Sequence, residues 1–267
     1  MLNFSVLMPI YYKEKPEYLF QCLESLANQT LPATEIIIVK DGKLTNELEE
    51  TLSIWEEKLP IKIVGYEENK GIVFALNYGL RYCSYELVAR MDSDDICLYN
   101  RFEKQIEHFE KNRDIVLLSG FISEFNKTPN DIDSIRKVPQ GNINISKYLK
   151  KRCAFNHVAV MFKKSVIFSL GGYINDIEDY DLWIRVVQAG YSVDNLNEIL
   201  VYVRIGNNMF GRRSGFSYAK KEIKFLFSQR DRKFISNLEL IELLLTRVPF
   251  RLLPPKFLSI IYSKLLR

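Results

Sequence analysis

The chain has 267 residues, 47% of them apolar and 26% charged, the composition of an ordinary globular protein with one large domain or two small ones. No uninterrupted apolar run approaches the roughly 20 residues that cross a bilayer. No secretory signal opens the chain, and Cys22, Cys83, Cys97 and Cys153 lack metal-type spacing, so reduced, mostly buried thiols in a cytosolic protein are expected. The net charge of +4 conceals an asymmetry: from Arg204 onward there are 14 Lys and Arg against 4 Asp and Glu, and before it 23 against 29. A basic tail interspersed with Leu, Ile and Phe favours an anionic membrane surface over nucleic acid as partner.

Taken in order, the front half alternates. A buried strand is predicted over 4–8, ending at Pro9, and a helix over 16–28 with Pro16 in its first turn. A second buried strand over 35–39 stops at Asp41-Gly42. A helix over 45–58, a strand over 61–64, a helix over 71–82, a strand over 85–91, a helix over 99–111 and a strand over 115–119 follow. Strands alternating with helices of this length imply βαβ units and a mainly parallel sheet. Residues 121–144 are polar and turn-rich and read as an irregular segment. Beyond it the pattern predicts a strand over 158–162, a short helix, a Gly171-Gly172 turn, a helix over 178–189 and strands over 192–196 and 200–203. The last sixty residues read as amphipathic helices. Leu238, Ile241, Leu244 and Leu245 form one apolar stripe, for which packing on the core and contact with a membrane are both open. A second stripe, over 253–266, carries Lys256, Lys264 and Arg267 and fits an interfacial helix.

Chemistry concentrates at the ends of predicted strands, where ligands sit in parallel sheets. Met91-Asp92-Ser93-Asp94-Asp95 places three carboxylates in four residues. Such crowding disfavours ionisation, and a hard cation such as Mg²⁺ or Mn²⁺ relieves it by bridging carboxylates to phosphates. A solvated acidic turn capping the next helix is the alternative. There is no Gly-rich dinucleotide fingerprint and no phosphate-binding G-x-x-x-x-G-K loop, so a nucleotide would be gripped by side chains and metal.

In order along the chain, Ser5-Val6-Leu7-Met8-Pro9-Ile10-Tyr11, Glu24 to Thr30, Glu35 to Gly42, Asn69-Lys70-Gly71 with Ala75-Leu76-Asn77, Ala89 to Asp95, and Glu178-Asp179-Tyr180-Asp181-Leu182-Trp183 resemble the motifs of the family-two inverting glycosyltransferases. The resemblance spans about residues 3 to 205. It implies an α/β fold of GT-A type: a mainly parallel Rossmann-like sheet flanked by helices. A GT-A catalytic domain over 1–205 is expected, with a nucleotide-binding half over about 1–100 and an acceptor-binding half over about 101–205. Residues 206–267 would add a basic loop and a C-terminal helical extension.

The resemblance also implies roles. Pro9 and Tyr11 would hold the base and Asp41 the uracil N3–H, a charge-assisted bond, although Lys40 replaces the commoner acidic neighbour. Asn69, Gly71, Asn77, Asp92, Ser93 and Asp94 would complete the nucleotide-sugar site. Asp94, supported by Asp92, would bind a divalent Mn²⁺ or Mg²⁺ that stabilises the departing diphosphate. Asp179 would be the general base; the alternative is plain capping of a helix start by Glu178, Asp179 and Asp181. His157, Glu178, Arg212 and Arg213 are candidates for the acceptor or its diphosphate, with a structural role open for His157 and a solvent-facing one for the arginines. The expected reaction moves a sugar from a nucleoside-diphosphate sugar, UDP-linked in the leading reading, to a polyprenyl-diphosphate-linked saccharide in bacterial surface-polysaccharide assembly. It would occur on the cytoplasmic face of the inner membrane. A sugar nucleotidyltransferase, a glycosidase or a non-catalytic membrane-associated saccharide binder are the competing classes.

Overall fold

Apolar residues fill both faces of the first strand, β1 (Phe4–Ile10), all of whose residues are buried. Even positions Phe4, Val6, Met8 and Ile10 join one core layer and Leu7 the other, as the two-residue period of a strand requires. The same alternation runs through β2 (Glu35–Asp41), where Ile36 and Ile38 face one layer and Ile37 and Val39 the other. The structure is a computed structural model that describes residues 2–174, 177–205 and 214–253.

The further elements are α1 (Pro16–Ala27), α2 (Asn46–Glu56), β3 (Ile61–Tyr66), α3 (Ile72–Leu80), β4 (Leu87–Arg90), β5 (Ile96–Cys97), α4 (Arg101–Lys111), β6 (Ile115–Phe125), β7 (Ile132–Arg136), α5 (Asn142–Leu149), a 3-10 turn (His157–Ala159), β8 (Met161–Lys163), α6 (Lys164–Ser169), α7 (Glu178–Gln188) and β9 (Ser192–Arg204). Two C-terminal helices, α8 (Phe216–Asp231) and α9 (Asn237–Arg251), end the described chain. All strands join one sheet in the order β3-β2-β1-β4-β8-β6-β9-β5, with β7 beside β6. β3, β2, β1 and β4 run parallel, as expected. The second half is mixed: β8 is antiparallel to β4 and β6, whereas β9 is parallel to β6 and antiparallel to β5.

Helices α1, α2 and α4 cover one face through Leu19, Leu23, Leu52, Trp55, Phe102 and Ile106. Helices α3, α5 and α7 and the α8–α9 pair cover the other, with Ala75, Leu76, Trp183, Phe225 and Leu240 in its core. Caps fall where the sequence places them. The Thr45 hydroxyl accepts from the Leu48 N–H at 3.4 Å, Gly71 starts α3 at φ +84°, and Ser236 and Glu239 form a reciprocal capping box on α9.

Two expectations change, and one open question is answered in part. Residues 121–144 are not irregular throughout: β6 continues to Phe125 and pairs with β7, and α5 begins at Asn142. Of the buried polar residues in this part of β6, Glu124 accepts from the Ser134 hydroxyl, whereas the Ser123 hydroxyl has no hydrogen-bond partner among the described residues. The two strands over 192–196 and 200–203 are a single β9, with a register jump where Leu196 lies opposite Gly120 and Ile199 opposite Phe121. In the stripe whose role the sequence left open, Leu238, Ile241 and Leu245 are 80%, 54% and 71% exposed, while Leu244 packs partly buried on the core beside Leu240 and Leu243. The stripe over 253–266 lies, apart from its first residue, outside the described residues.

Candidate functional site

Parallel pairing brings the carboxyl ends of β1, β2 and β4 to one edge. Pro9, buried near the end of β1, lies opposite Val39 of β2, and Tyr11 follows, 37% exposed. Asp41 ends β2 beneath the loop that leads into α3. Its carboxylate accepts from the Tyr66 hydroxyl (2.8 Å), Asn69 Nδ2 (2.9 Å), and the N–H groups of Lys70 (2.7 Å) and Gly71 (3.0 Å). Asp41 therefore organises the loop that holds Asn69 and Gly71, and the Tyr66 phenol is pushed up by burial and by this carboxylate. Gly42 must be glycine: its φ is +87°, and a Cβ there would stand 2.8 Å from Asn69 N. Lys40, in place of the commoner acidic residue, pairs with Glu49 at 2.8 Å.

The acidic turn leaves β4 directly. Oxygens of Asp92, Asp94 and Asp95 lie within 4.8 Å of one another, with Asp92 and Asp94 half-buried and Asp95 buried. Both Asp92 oxygens accept from the fork of Arg90. Burial works against the Arg90 charge, but the Asp92 contact outweighs it and raises the guanidinium's pKa. Asp95 accepts the Arg204 N–H at 2.8 Å. Burial pushes Asp95 well above the usual carboxylate range, and the charges of Asp94 and Asp92 push it further. Ser93 instead donates to Glu14 at 2.7 Å. The end of β9 is sewn to this turn, because Arg204 Nε also donates to Asp94 O at 3.1 Å and its guanidinium stacks on Tyr18, 3.8 Å from the ring centre. Three carboxylates offering hard oxygens this close together fit a divalent cation.

The second acidic group sits at the head of α7, where the helix dipole favours Glu178 and Asp179. Both are half-buried, and Asp179 Oδ2 lies 3.9 Å from Cys153 Sγ. Between this group and the acidic turn stands Tyr173. Burial raises its phenol's pKa, Arg90 lowers it, and Asp179, Glu178 and Asp92 raise it again, so one hydroxyl lies within electrostatic reach of both acidic groups. His157 Nε2 meets that hydroxyl at 3.1 Å, and burial and Arg90 hold the imidazole well below its ordinary range and neutral. His157, partly buried, thus faces Tyr173 and Trp183.

Asn77, expected among the nucleotide-sugar contacts, commits its amide to a backbone: Nδ2 donates to Tyr173 O at 2.7 Å and Oδ1 accepts from Tyr173 N at 2.9 Å. Arg212 and Arg213 lie outside the described residues. Arg90 was not singled out from the sequence, although its position two residues before Asp92 gives both side chains one face of the strand end. Tyr173 and Cys153 carry no signal in the sequence, because only folding brings them to α7.

A sequence profile described as glycosyl transferase family 2 matches residues 5–168. The chain is 44% identical to an uncharacterized glycosyltransferase of Haemophilus influenzae, with 100% of each chain covered. It is 42% identical to a UDP-Gal:alpha-D-GlcNAc-diphosphoundecaprenol beta-1,3-galactosyltransferase of Escherichia coli over 99% of this chain and 97% of that one. It is 39% identical to an amylovoran biosynthesis glycosyltransferase of Erwinia amylovora over 98% of each. In fold it is similar to Staphylococcus aureus TarS in complex with UDP-GlcNAc (TM-score 0.64, 17% identity, 98% of this chain and 73% of that one). A Pyrobaculum calidifontis mannosyltransferase with GDP-Man and Mn²⁺ is also similar (TM-score 0.65, 16% identity, 99% and 76%). The mixed sheet with helices on both faces is the GT-A architecture, and with acidic groups gathered at its strand ends and relatives matched from end to end, this chain belongs to glycosyl transferase family 2.

Proposed function

We propose that the protein moves a hexose from a UDP-sugar to the terminal sugar of a polyprenyl-diphosphate-linked saccharide, with inversion at the anomeric carbon. What supports this reading is the gathering of Asp92, Asp94 and Asp95 at the end of β4, beside the Asp41 loop at the end of β2, with Asp179 at the head of α7 near enough for its charge, like that of Asp92, to act on the buried Tyr173 phenol. The near full-length likeness to the Escherichia coli galactosyltransferase supports the choice of UDP donor and lipid-linked acceptor.

The base and ribose would lie over Pro9, Tyr11 and the Asp41 loop, and the diphosphate over the acidic turn. A divalent ion held by Asp94, with Asp92 steadied by Arg90, would supply Lewis-acid stabilisation of the diphosphate. Asp179 takes the proton of the acceptor hydroxyl as that oxygen attacks the anomeric carbon from the face opposite the diphosphate. The new C–O bond forms as the bond from carbon to phosphate oxygen breaks, and UDP leaves with the electron pair. His157, neutral and partly buried, orients Tyr173 in this scheme and does not carry a proton to substrate. Among the described residues no helix is long and apolar enough to cross a membrane, and the protein would meet its lipid-borne acceptor as a peripheral protein of the inner leaflet.

Two substitutions test the roles. Asp94→Ala should abolish Mn²⁺-dependent UDP binding in a calorimetric titration. Asp179→Asn should bind UDP like the parent and turn over at least ~100-fold slower, the lower end of general-base effects. Normal turnover by either variant overturns its assignment.

A further inference from the structure

A short loop between the donor and acceptor halves is held from two sides. From α3, the Asn77 amide clips the Tyr173 backbone at both its N–H and its carbonyl. From α7, Arg185 donates through Nη1 to Leu170 O and through Nη2 to Gly172 O, the latter at 2.7 Å. Arg185 is itself fixed by Asp181 at 2.8 Å, a wholly buried carboxylate. The loop has no room for variation at its centre. Gly172 has φ +68°, and a Cβ there would stand 2.4 Å from Asn77 Oδ1. Tyr173, so gripped, packs edge-on against Trp183 of α7 and meets His157.

The two ends of this connection are the two ends of the reaction. Helix α3 begins at Gly71, whose N–H is bound by Asp41, and α7 begins at Glu178 and Asp179. We infer that Asn77 is a positioning residue: through Tyr173 it sets the spacing of α7, and hence of Asp179, against the nucleotide-binding half, and it does not contact the donor. The inference rests on the transfer reaction proposed above. A two-point amide–backbone clip is directional as well as strong, and displacement of a reacting group by about 1 Å can cost on the order of 100-fold in rate.

Four readouts test it in the full chain. In hydrogen exchange, Asn77→Ala should accelerate exchange over residues 170–174 and 177–182 while leaving residues 35–71 protected as in the parent; unchanged protection over both spans overturns the proposal whatever reaction the protein catalyses. With UDP and Mn²⁺ as probe, the variant's dissociation constant should stay within about threefold of the parent's. Its kcat for UDP-galactose and a short-chain lipid-diphosphate GlcNAc should fall roughly 10- to 100-fold. Loss of UDP affinity with kcat retained at saturating donor would make Asn77 a donor contact and end the idea. Asn77→Asp keeps the acceptor for the Tyr173 N–H and loses only the donor, so it reports on the same clip should the alanine variant fold poorly. Finally, Gly172→Ala should cost less in the Asn77→Ala background than alone, because the collision with Asn77 Oδ1 is gone and only the strain of φ +68° remains; strictly additive losses contradict the close approach of Asn77 to this loop. A parent protein that binds no UDP would count against the reaction, while the exchange result would still decide the clip.

Discussion

Arg90 and Asp92 show how much a single residue pair can say about chemistry before any ligand is considered. Two carboxylates of the same turn remain half-exposed and one is enclosed, and Asp92 has its charge matched by the Arg90 fork. The role proposed for Asp94 as the cation's ligand is tested by the alanine variant above. The acidic turn and Asp179 were legible in the sequence because carboxylate clustering and a familiar order of motifs need no folding to be seen. The service rendered by Asn77, and the enclosure of His157 by Tyr173 and Trp183, were not legible, because both depend on residues about a hundred or fewer positions away that only the sheet brings near. His157 gives a prediction at this scale. Its folded pKa is depressed, chiefly by burial, whereas an unfolded histidine titrates near about 6.5. Above that value both states are neutral. Below it the unfolded chain takes up a proton that the folded site refuses, so stability falls with falling pH, by up to about 1.4 kcal/mol per unit, until the folded pKa is reached. His157→Gln should flatten the acid limb of a plot of Tm against pH below about 6.5 relative to the parent. Parallel acid limbs would mean that the ring is protonated in the folded protein.

Among the elements, the strand–helix alternation of the first hundred residues was readable because each strand is buried on both sides and each helix has an apolar stripe. The register of helix on sheet was not. Helix α3 lies so close to the sheet that a Cβ on Gly79 would stand 2.3 Å from Val39 Cγ2 and 2.5 Å from Leu7 Cδ1. Gly79→Ala should therefore behave as overpacking and destabilise by about 1–3 kcal/mol even though alanine is the better helix former. A lowered urea midpoint with unchanged slope checks this; a midpoint at or above the parent's would show that α3 can lift without cost. The strands of the acceptor half were harder to read for the opposite reason. β6 buries Ser119, Ser123 and Glu124, so its polarity imitates a loop, and the irregularity near residues 197 and 198 makes β9 look like two strands. In both, tertiary partners override a local pattern.

At the scale of the molecule, the C-terminal helices are bolted to the catalytic body by enclosed charge. Asp181 of α7 receives Arg232 from the end of α8 as well as Arg185. Glu222, also fully buried, joins Arg247 and Arg251 of α9 to α8. Breaking one partner of such a cluster leaves a buried charge and costs about 3–5 kcal/mol, so the helix pair moves with the body. Its outer surface carries Lys220, Lys221 and Lys224 on α8 and Leu238, Ile241 and Leu245 on α9, all exposed. Basic and apolar side chains together suit an anionic lipid interface. The double substitution Ile241→Glu with Leu245→Glu should cut recovery on phosphatidylglycerol-containing vesicles several-fold in a flotation assay and leave UDP binding intact. Recovery equal to the parent's would remove this surface from consideration.

The anchoring of Asp181 and Glu222 has a geometric corollary. Were α9's outward leucines to rest on headgroups, as proposed, the ion pairs of Asp181 and Glu222 would hold the head of α7, and with it Asp179, at one height above the bilayer. A glycan growing on its polyprenyl stalk would then be extended only when its free hydroxyl reaches that elevation, so the protein would gauge the length of the chain it is offered as well as the sugar at its tip.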